Sequence, residues 1–285
     1  VSVRACPGTG RTCAGASLLE CLVGLALGLA VVAAVASQYL AAGHSARLQA
    51  AQAQMVEDAQ IALELLRGEL MMAGYARPVR LDLAADGLPR WQTALGAQAP
   101  LFACDQGFVA PASAEPLVCA GAGASAALEL RYQADRFNTV PLSGSDRPSD
   151  CLGAGLGAHE GVYLTYNRWY VASSQGRTEL RCASRLGHPG QPLVDNVEAL
   201  ALWFSEAGSA PGAGPARFVK ASQVSSFSRV RSVRVCLLMR SADAVLADGI
   251  SGEFRDCEGR AQVSGDRRLR RAFSATVSLR NRGGG

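Results

Sequence analysis

Three groups of residues in this 285-residue chain have types and spacings that suggest chemistry. The first is a carboxylate, Glu20, set at the start of a nearly uncharged run from Gly15 to Gly43. An ionised carboxylate in an apolar medium costs on the order of several kcal/mol unless a cation or donor meets it, so such a residue calls for a partner. The second is a set of six cysteines, Cys104, Cys119, Cys151, Cys182, Cys236 and Cys257. An even number of thiols spread over one domain suits disulfides in an oxidising compartment. The third is a basic cluster, Arg267, Arg268, Arg270 and Arg271, whose charge would suit phosphates or an acidic surface.

Other chemistries lack their residues. No nucleophile elbow, Walker loop, HExxH or dinucleotide fingerprint is present, and His159-Glu160 is a single pair in a loop. The cysteines show no CxxC spacing, His44, His159 and His188 stand apart, and the acidic residues do not follow EF-hand spacing. The expectation is no catalytic residue, no metal and no cofactor. Six cysteines admit fifteen connectivities. Sequential pairing is expected, each bridge closing a loop between strands, with Cys236 and Cys257 clasping a C-terminal loop. Cys6, Cys13 and Cys21 lie before or within the apolar run and are read as reduced and incidental. The net charge of +4 is mild and comes almost wholly from arginine, Lys220 being the single lysine. A solvated approach to a strand is the plainer reading of the arginine cluster, and DNA is a partner the sequence does not select.

The elements that position these groups follow from periodicity. From Cys21 to Ala42 the only clearly polar side chains are Ser37, Gln38 and the Tyr39 phenol, enough apolar helix to span a bilayer. Arg4 and Arg11 precede the run and Arg47, Glu57 and Asp58 follow it, which leaves the N-terminus in the cytoplasm. The small residues Ala14, Gly15 and Ala16 precede the run, whereas a secretory signal peptide has them after it. Cys21 is likewise misplaced for a lipoprotein, coming before the apolar segment and directly after Glu20. Gly24 and Gly28 form a GxxxG that lets helices approach closely in a membrane. Beyond the run, Leu48, Met55, Ala59, Ala62, Leu63, Leu66 and Leu70 recur at three- and four-residue spacings, and Gly74 and Pro78 mark a stop. One helix of roughly 80 Å is predicted, its second half amphipathic.

The leader ending in Gly15, then Ala16-Ser17-Leu18-Leu19-Glu20 and the apolar helix, resembles the class III signal of type IV prepilins and type II secretion pseudopilins. The resemblance implies cleavage after Gly15 by a prepilin peptidase and N-methylation of Ala16, where the family usually has phenylalanine. It also implies that Glu20 meets the freed α-amino group of a neighbouring subunit and sets register during assembly. That amine stays charged when methylated. On the residues alone, an ordinary flanking charge at the headgroups is the competing role for Glu20.

About 210 residues remain, and their signals are mostly β. Segments 127–132, 161–166, 169–172, 179–183, 199–204, 230–239 and 273–279 are rich in β-branched and aromatic residues between Gly/Pro/Ser loops. The expected fold is α+β and type IV pilin-like: a long N-terminal α-helix, its first half transmembrane, packed on an antiparallel β-sheet domain. The division is leader 1–15, transmembrane half-helix 16–43, periplasmic amphipathic half-helix 44–76, and a β-rich periplasmic domain 77–285. The stretches "QIALELLRGELMMAGYARP", "LVDNVEALALWF", "VRSVRVCLLMRS" and "RRLRRAFSATVSLRNR" are similar to those of the PilW family of type IV minor pilins. Residues 81–185 carry no such resemblance.

The family implies a subunit made in the inner membrane and then carried in a pilus fibre at the cell surface, in a priming or tip complex. Its partners would be the prepilin peptidase, other major and minor pilins, and the inner-membrane assembly machinery. A minor pseudopilin of a type II secretion system and an uncleaved, membrane-anchored periplasmic binding domain are the alternatives. Processing separates the second from the pilins; loss of twitching against loss of exoprotein release separates the first.

Overall fold

The computed structural model describes residues 17–83, 89–96, 98–113, 116–123, 125–185, 187–207 and 217–281. The chain divides into two compact units, Val1–Gln49 and Ala50–Gly285. A helix, α1 (Leu18–Met72), begins in the first and ends in the second, and no proline interrupts its 55 residues.

In the first unit every described side chain from 17 to 47 is exposed, apolar ones included. In the second unit the helix is amphipathic. Met55, Ala59, Ala62, Leu66 and Leu70 are buried along one stripe while Glu64 and Arg67 stay outside. The helix stops where Gly74 adopts φ 77° and its N–H donates to the Arg131 carbonyl at 2.8 Å. A left-handed residue after the last turn is the usual glycine stop.

The strands are β1 (Pro78–Leu83), β2 (Pro89–Thr93), β3 (Leu101–Cys104), β4 (Ala127–Ala134), β5 (Ala158–His159), β6 (Val162–Ser174) and β7 (Arg177–Ser184). They continue as β8 (Gln191–Asp195), β9 (Val197–Glu206), β10 (Val230–Arg240), β11 (Gly252–Arg255), β12 (Ala261–Ser264) and β13 (Arg270–Ser278). All pairings are antiparallel. The large sheet runs β3-β4-β6-β7-β8, with β5 on the early part of β6; a second sheet runs β13-β10-β9; β1-β2 and β11-β12 are separate hairpins.

Alternation along the strands decides what faces the helix. Leu128 and Leu130 of β4, Trp169 of β6 and Leu180 of β7 join Leu200, Leu202, Phe204, Val233, Val235 and Leu237 of the second sheet and the helix stripe in one core. Each such side chain contributes roughly 1.5–3 kcal/mol by leaving water. The other face of β4 is buried as well, because the loop closed by Cys104 and Cys119 lays Phe108 and Leu117 against Ala127.

The structure is α+β, one long N-terminal helix with antiparallel sheets. One expectation is corrected: segments 161–166 and 169–172, apart from the turn residue Gly161, belong to the single thirteen-residue β6. The polar pair Asn167 and Arg168 breaks the apolar pattern in sequence, yet both are buried within the strand on partners far away in the chain.

Candidate assembly interface

Gly15 and Ala16, the predicted cleavage and methylation positions, lie outside the described residues, as do Cys6 and Cys13. Glu20 is in the first turn of α1 and exposed. Its Oε2 accepts the Ser17 N–H at 3.1 Å, and the Ser17 Oγ accepts the Glu20 N–H at 3.4 Å. This reciprocal pair is a capping box, which satisfies two of the donors a helix start leaves open. Its signature, Ser-x-x-Glu before an apolar run, stands in the sequence at Ser17 and Glu20. The capped carboxylate is partnered within its own chain and still open to solvent on its outer side.

Gly24 and Gly28 are exposed, one turn apart, and a Cβ added at either meets nothing within 4 Å. The flanking side chains Leu22, Leu25, Leu29 and Val32 are 55–65% exposed. This one span is long and apolar enough to cross a membrane, which fits an anchor. So much exposed apolar surface needs lipid or other apolar helices around it. Cys21 is a free, exposed thiol on the same span.

Within the second unit, α1 is joined to the large sheet by a buried polar cluster. Asn167 Nδ2 donates to Glu69 Oε2 at 2.9 Å and Tyr132 OH to Glu69 Oε1 at 3.3 Å. Asn167 Oδ1 in turn accepts from Thr165 Oγ1 at 2.8 Å and from the Cys151 N–H at 3.1 Å. Burial raises the Glu69 pKa above its ordinary value, and the nearby Asp150 charge adds to this; Asn167, Tyr132 and Trp169 oppose it without cancelling it. The Trp169 Nε1 makes no hydrogen bond of standard geometry. Beyond the helix end, Asn281 Nδ2 donates to the Met71 carbonyl at 2.7 Å, closing one of the acceptors the last turn leaves free.

On the opposite face of the sheet lies an ion cluster. Arg168 Nε donates to Glu129 Oε2 at 2.7 Å and Arg131 Nε to Glu129 Oε1 at 2.7 Å; the Arg168 side chain is 1% exposed. Arg168 also donates to the carbonyls of Pro111 and Ser113 in the cysteine-closed loop.

The six outer cysteines form Cys104–Cys119, Cys151–Cys182 and Cys236–Cys257, the sequential order. The last ties the loop between β11 and β12 to β10. Among the described residues no group of three His, Cys, Asp or Glu is placed to hold a metal ion. His159 and Glu160 are exposed at the β5–β6 turn, Glu160 with φ 50°. A cleft of about 330 Å³ beside β9 is lined by Asp105, Glu198, Lys220, Asp256 and Glu258. Its charges meet one another or nearby donors: Lys220 reaches Glu258 at 2.8 Å, Glu198 reaches Arg270 at 2.5 Å, and Asp105 accepts the Ala221 N–H at 2.8 Å.

The arginine cluster differs from the solvated approach expected of it. Arg267 pairs with Asp248, Arg268 donates to the Ser241 carbonyl at 2.7 Å, and Arg270 bridges Glu198 and Asp266. The hydrogen bond from Arg270 holds the Asp266 carboxyl well below the usual range. Arg271 lies over Phe273 at 5.2 Å and is exposed.

Residues 168–281, which begin inside β6 and run to the Asn281 cap, match the PilW family, Type IV Pilus-assembly protein W. No curated protein matches the chain. Among solved structures, a type IV-like pilin from Thermus thermophilus is similar over 79% of this chain and 95% of its own, at 12% identity and a TM-score of 0.36.

Proposed function

We propose that this chain is a PilW-like minor pilin that takes part in type IV pilus assembly, in a priming or tip complex with other minor pilins. The observation that carries the reading is the PilW match over residues 168–281; the exposed apolar span with its single early carboxylate supports it. The precursor sits in the inner membrane with the C-terminal unit in the periplasm. Prepilin peptidase cuts between Gly15 and Ala16 and methylates Ala16. Glu20 then trades its own Ser17 N–H for the charged amine of a neighbouring pilin, a charge-assisted contact roughly twice as strong as a neutral one. Gly24 and Gly28 form the face along which neighbouring helices approach, and the three disulfides form in the periplasm.

The test is the N-terminal mass of the protein made with and without active prepilin peptidase, in the parent and in Gly15→Val. A peptidase-dependent species beginning at N-methyl-Ala16, lost in the variant, is expected. An intact N-terminus throughout overturns it in favour of an uncleaved anchored domain. Glu20→Val is expected to be processed and yet absent from sheared pili. Loss of exoprotein release with twitching intact would move the chain to type II secretion.

A further inference from the structure

β13 is an edge strand whose outward side is unpaired among the described residues, and the edge is built unlike the others in its sheets. The Leu279 N–H donates to the Arg231 carbonyl and the Ser241 N–H to the Leu269 carbonyl, both in the β10 register. Odd-numbered residues of β13 therefore bond to β10. By the two-residue alternation of an antiparallel ladder, the backbone groups of Arg270, Ala272, Ser274, Thr276 and Ser278 point away from it. No described residue pairs with them.

Sheet edges are normally blunted by proline, bulges, short length or a covering segment. The other edges have such devices. β8 carries Pro192 and a register break opposite Leu180 and Arg181, and β3 has four residues. β9 is covered where the Ala126 N–H reaches the Leu200 carbonyl at 2.7 Å and where Phe204 bridges Val219. β13 runs nine residues in unbroken register with no proline, and Ser274, Thr276 and Ser278 are exposed.

Charge selects the occupant. From 267 to 281 the sequence has five arginines, Arg267, Arg268, Arg270, Arg271 and Arg280, and no acidic residue.

 Arg267, Arg268 and Arg270 are held by the contacts described above, while Arg271 and Arg280 are exposed at the two ends of the edge. A second copy of this chain would bring arginine to arginine: an antiparallel copy centred on the edge sets Arg280 against Arg270 with Arg271 one position away, and a parallel copy sets Arg271 within one position of Arg271. Like charges set opposite each other across strands are destabilising.

We propose that the β13 edge is a docking site for an extended acidic segment of another polypeptide, which adds a strand beside Ala272–Ser278 and carries carboxylates to Arg271 and Arg280. Backbone pairing supplies affinity in strand addition, and the flanking charges supply selection. The inference is independent of cleavage at Gly15, so it stands or falls separately from the pilin reading.

The test uses the full chain in detergent and a labelled nine-residue peptide of alternating valine and threonine with glutamate at both ends. Thr276→Pro removes an outward N–H that β10 does not use, and Thr276→Val keeps it. The parent and Thr276→Val are expected to bind the peptide, and Thr276→Pro to bind at least about tenfold more weakly. Arg271→Glu combined with Arg280→Glu is expected to shift preference to the matching lysine-ended peptide. Slowed hydrogen exchange at the amides of 272, 274, 276 and 278 in the bound parent gives a readout that does not depend on any variant folding. Equal binding of acidic and basic peptides, binding unchanged in a folded Thr276→Pro, or no slowing at those amides overturns the proposal. So does duplex DNA displacing the peptide while leaving those amides unprotected.

Discussion

Asn167 Nδ2 donates to the Glu69 carboxylate at 2.9 Å across 98 positions of sequence, joining the last turns of α1 to the middle of β6. Tyr132 OH reaches the same carboxylate from β4. The helix thus meets the sheet through an apolar stripe that ends in a buried polar anchor.

The anchor makes stability depend on pH in a definite direction. The folded-state pKa of Glu69 is raised above 4.5, chiefly by burial. Its contribution is fully present below that ordinary value and is lost as pH rises through the folded pKa, because the folded state then holds the proton more tightly than the unfolded one. Denaturation midpoints of the parent are expected to fall over this window, and those of Glu69→Gln to fall less. Parallel profiles for the two proteins would remove Glu69 from the account.

Gly74 carries φ 77°, and a Cβ there would collide with the Asn281 carbonyl oxygen. Gly74→Ala is expected to cost about 1–3 kcal/mol, since strain and collision add. Asn281→Ala, which only releases the Met71 carbonyl, is expected to cost about 1 kcal/mol. Urea midpoints of the two variants, compared at equal m-value, check the order; a larger loss in Asn281→Ala would reverse it.

Arg168 and Glu129 are both buried, so removing Arg168 leaves the Glu129 carboxylate with Arg131 alone. Arg168→Met is expected to cost about 3 kcal/mol or more, and Arg168→Met with Glu129→Leu to recover much of it. Arg131, which also meets Glu129, limits the single-variant loss. A double variant no more stable than the single would mean that packing, not the stranded charge, is what fails.

The Cys236–Cys257 bond closes a separation of 21 residues. Replacing both cysteines with serine is expected to cost about 3 kcal/mol and to expose the β11–β12 hairpin to protease first. Unchanged cleavage of residues 241–269 in the variant would show that the hairpin is held by Arg270 and its partners instead.

The strands with apolar or aromatic alternation were legible in the sequence, as were the amphipathic stripe and its stop at Gly74. What was not legible shares a cause. Asn167 and Arg168 look like an interruption because their partners, Glu69 and Glu129, are 98 and 39 residues away. The hairpin β11–β12, "GEFR" and "AQVS", has too few apolar residues to show a period, and its loop is tied to β10 by a disulfide whose partner lies 21 positions away. The arginines of 267–271 read as solvated because Asp248, Glu198 and the Ser241 carbonyl cannot be assigned to them from spacing. The capping box at Ser17 and Glu20 is the reverse case: its two residues are three apart, so its signature is local and lies in the sequence itself.

The three disulfides join cysteines 15, 31 and 21 positions apart, and each lies wholly between residues 104 and 257. Among the described residues no covalent cross-link reaches α1. Tension applied along the helix therefore passes to the sheets only through the backbone at Gly74 and through non-covalent contacts, with Glu69–Asn167 and Asn281–Met71 nearest that junction. A pull strong enough to break those contacts would peel the helix away while every sulfur bridge stayed intact, so mechanical and reductive unfolding of this protein begin at different places.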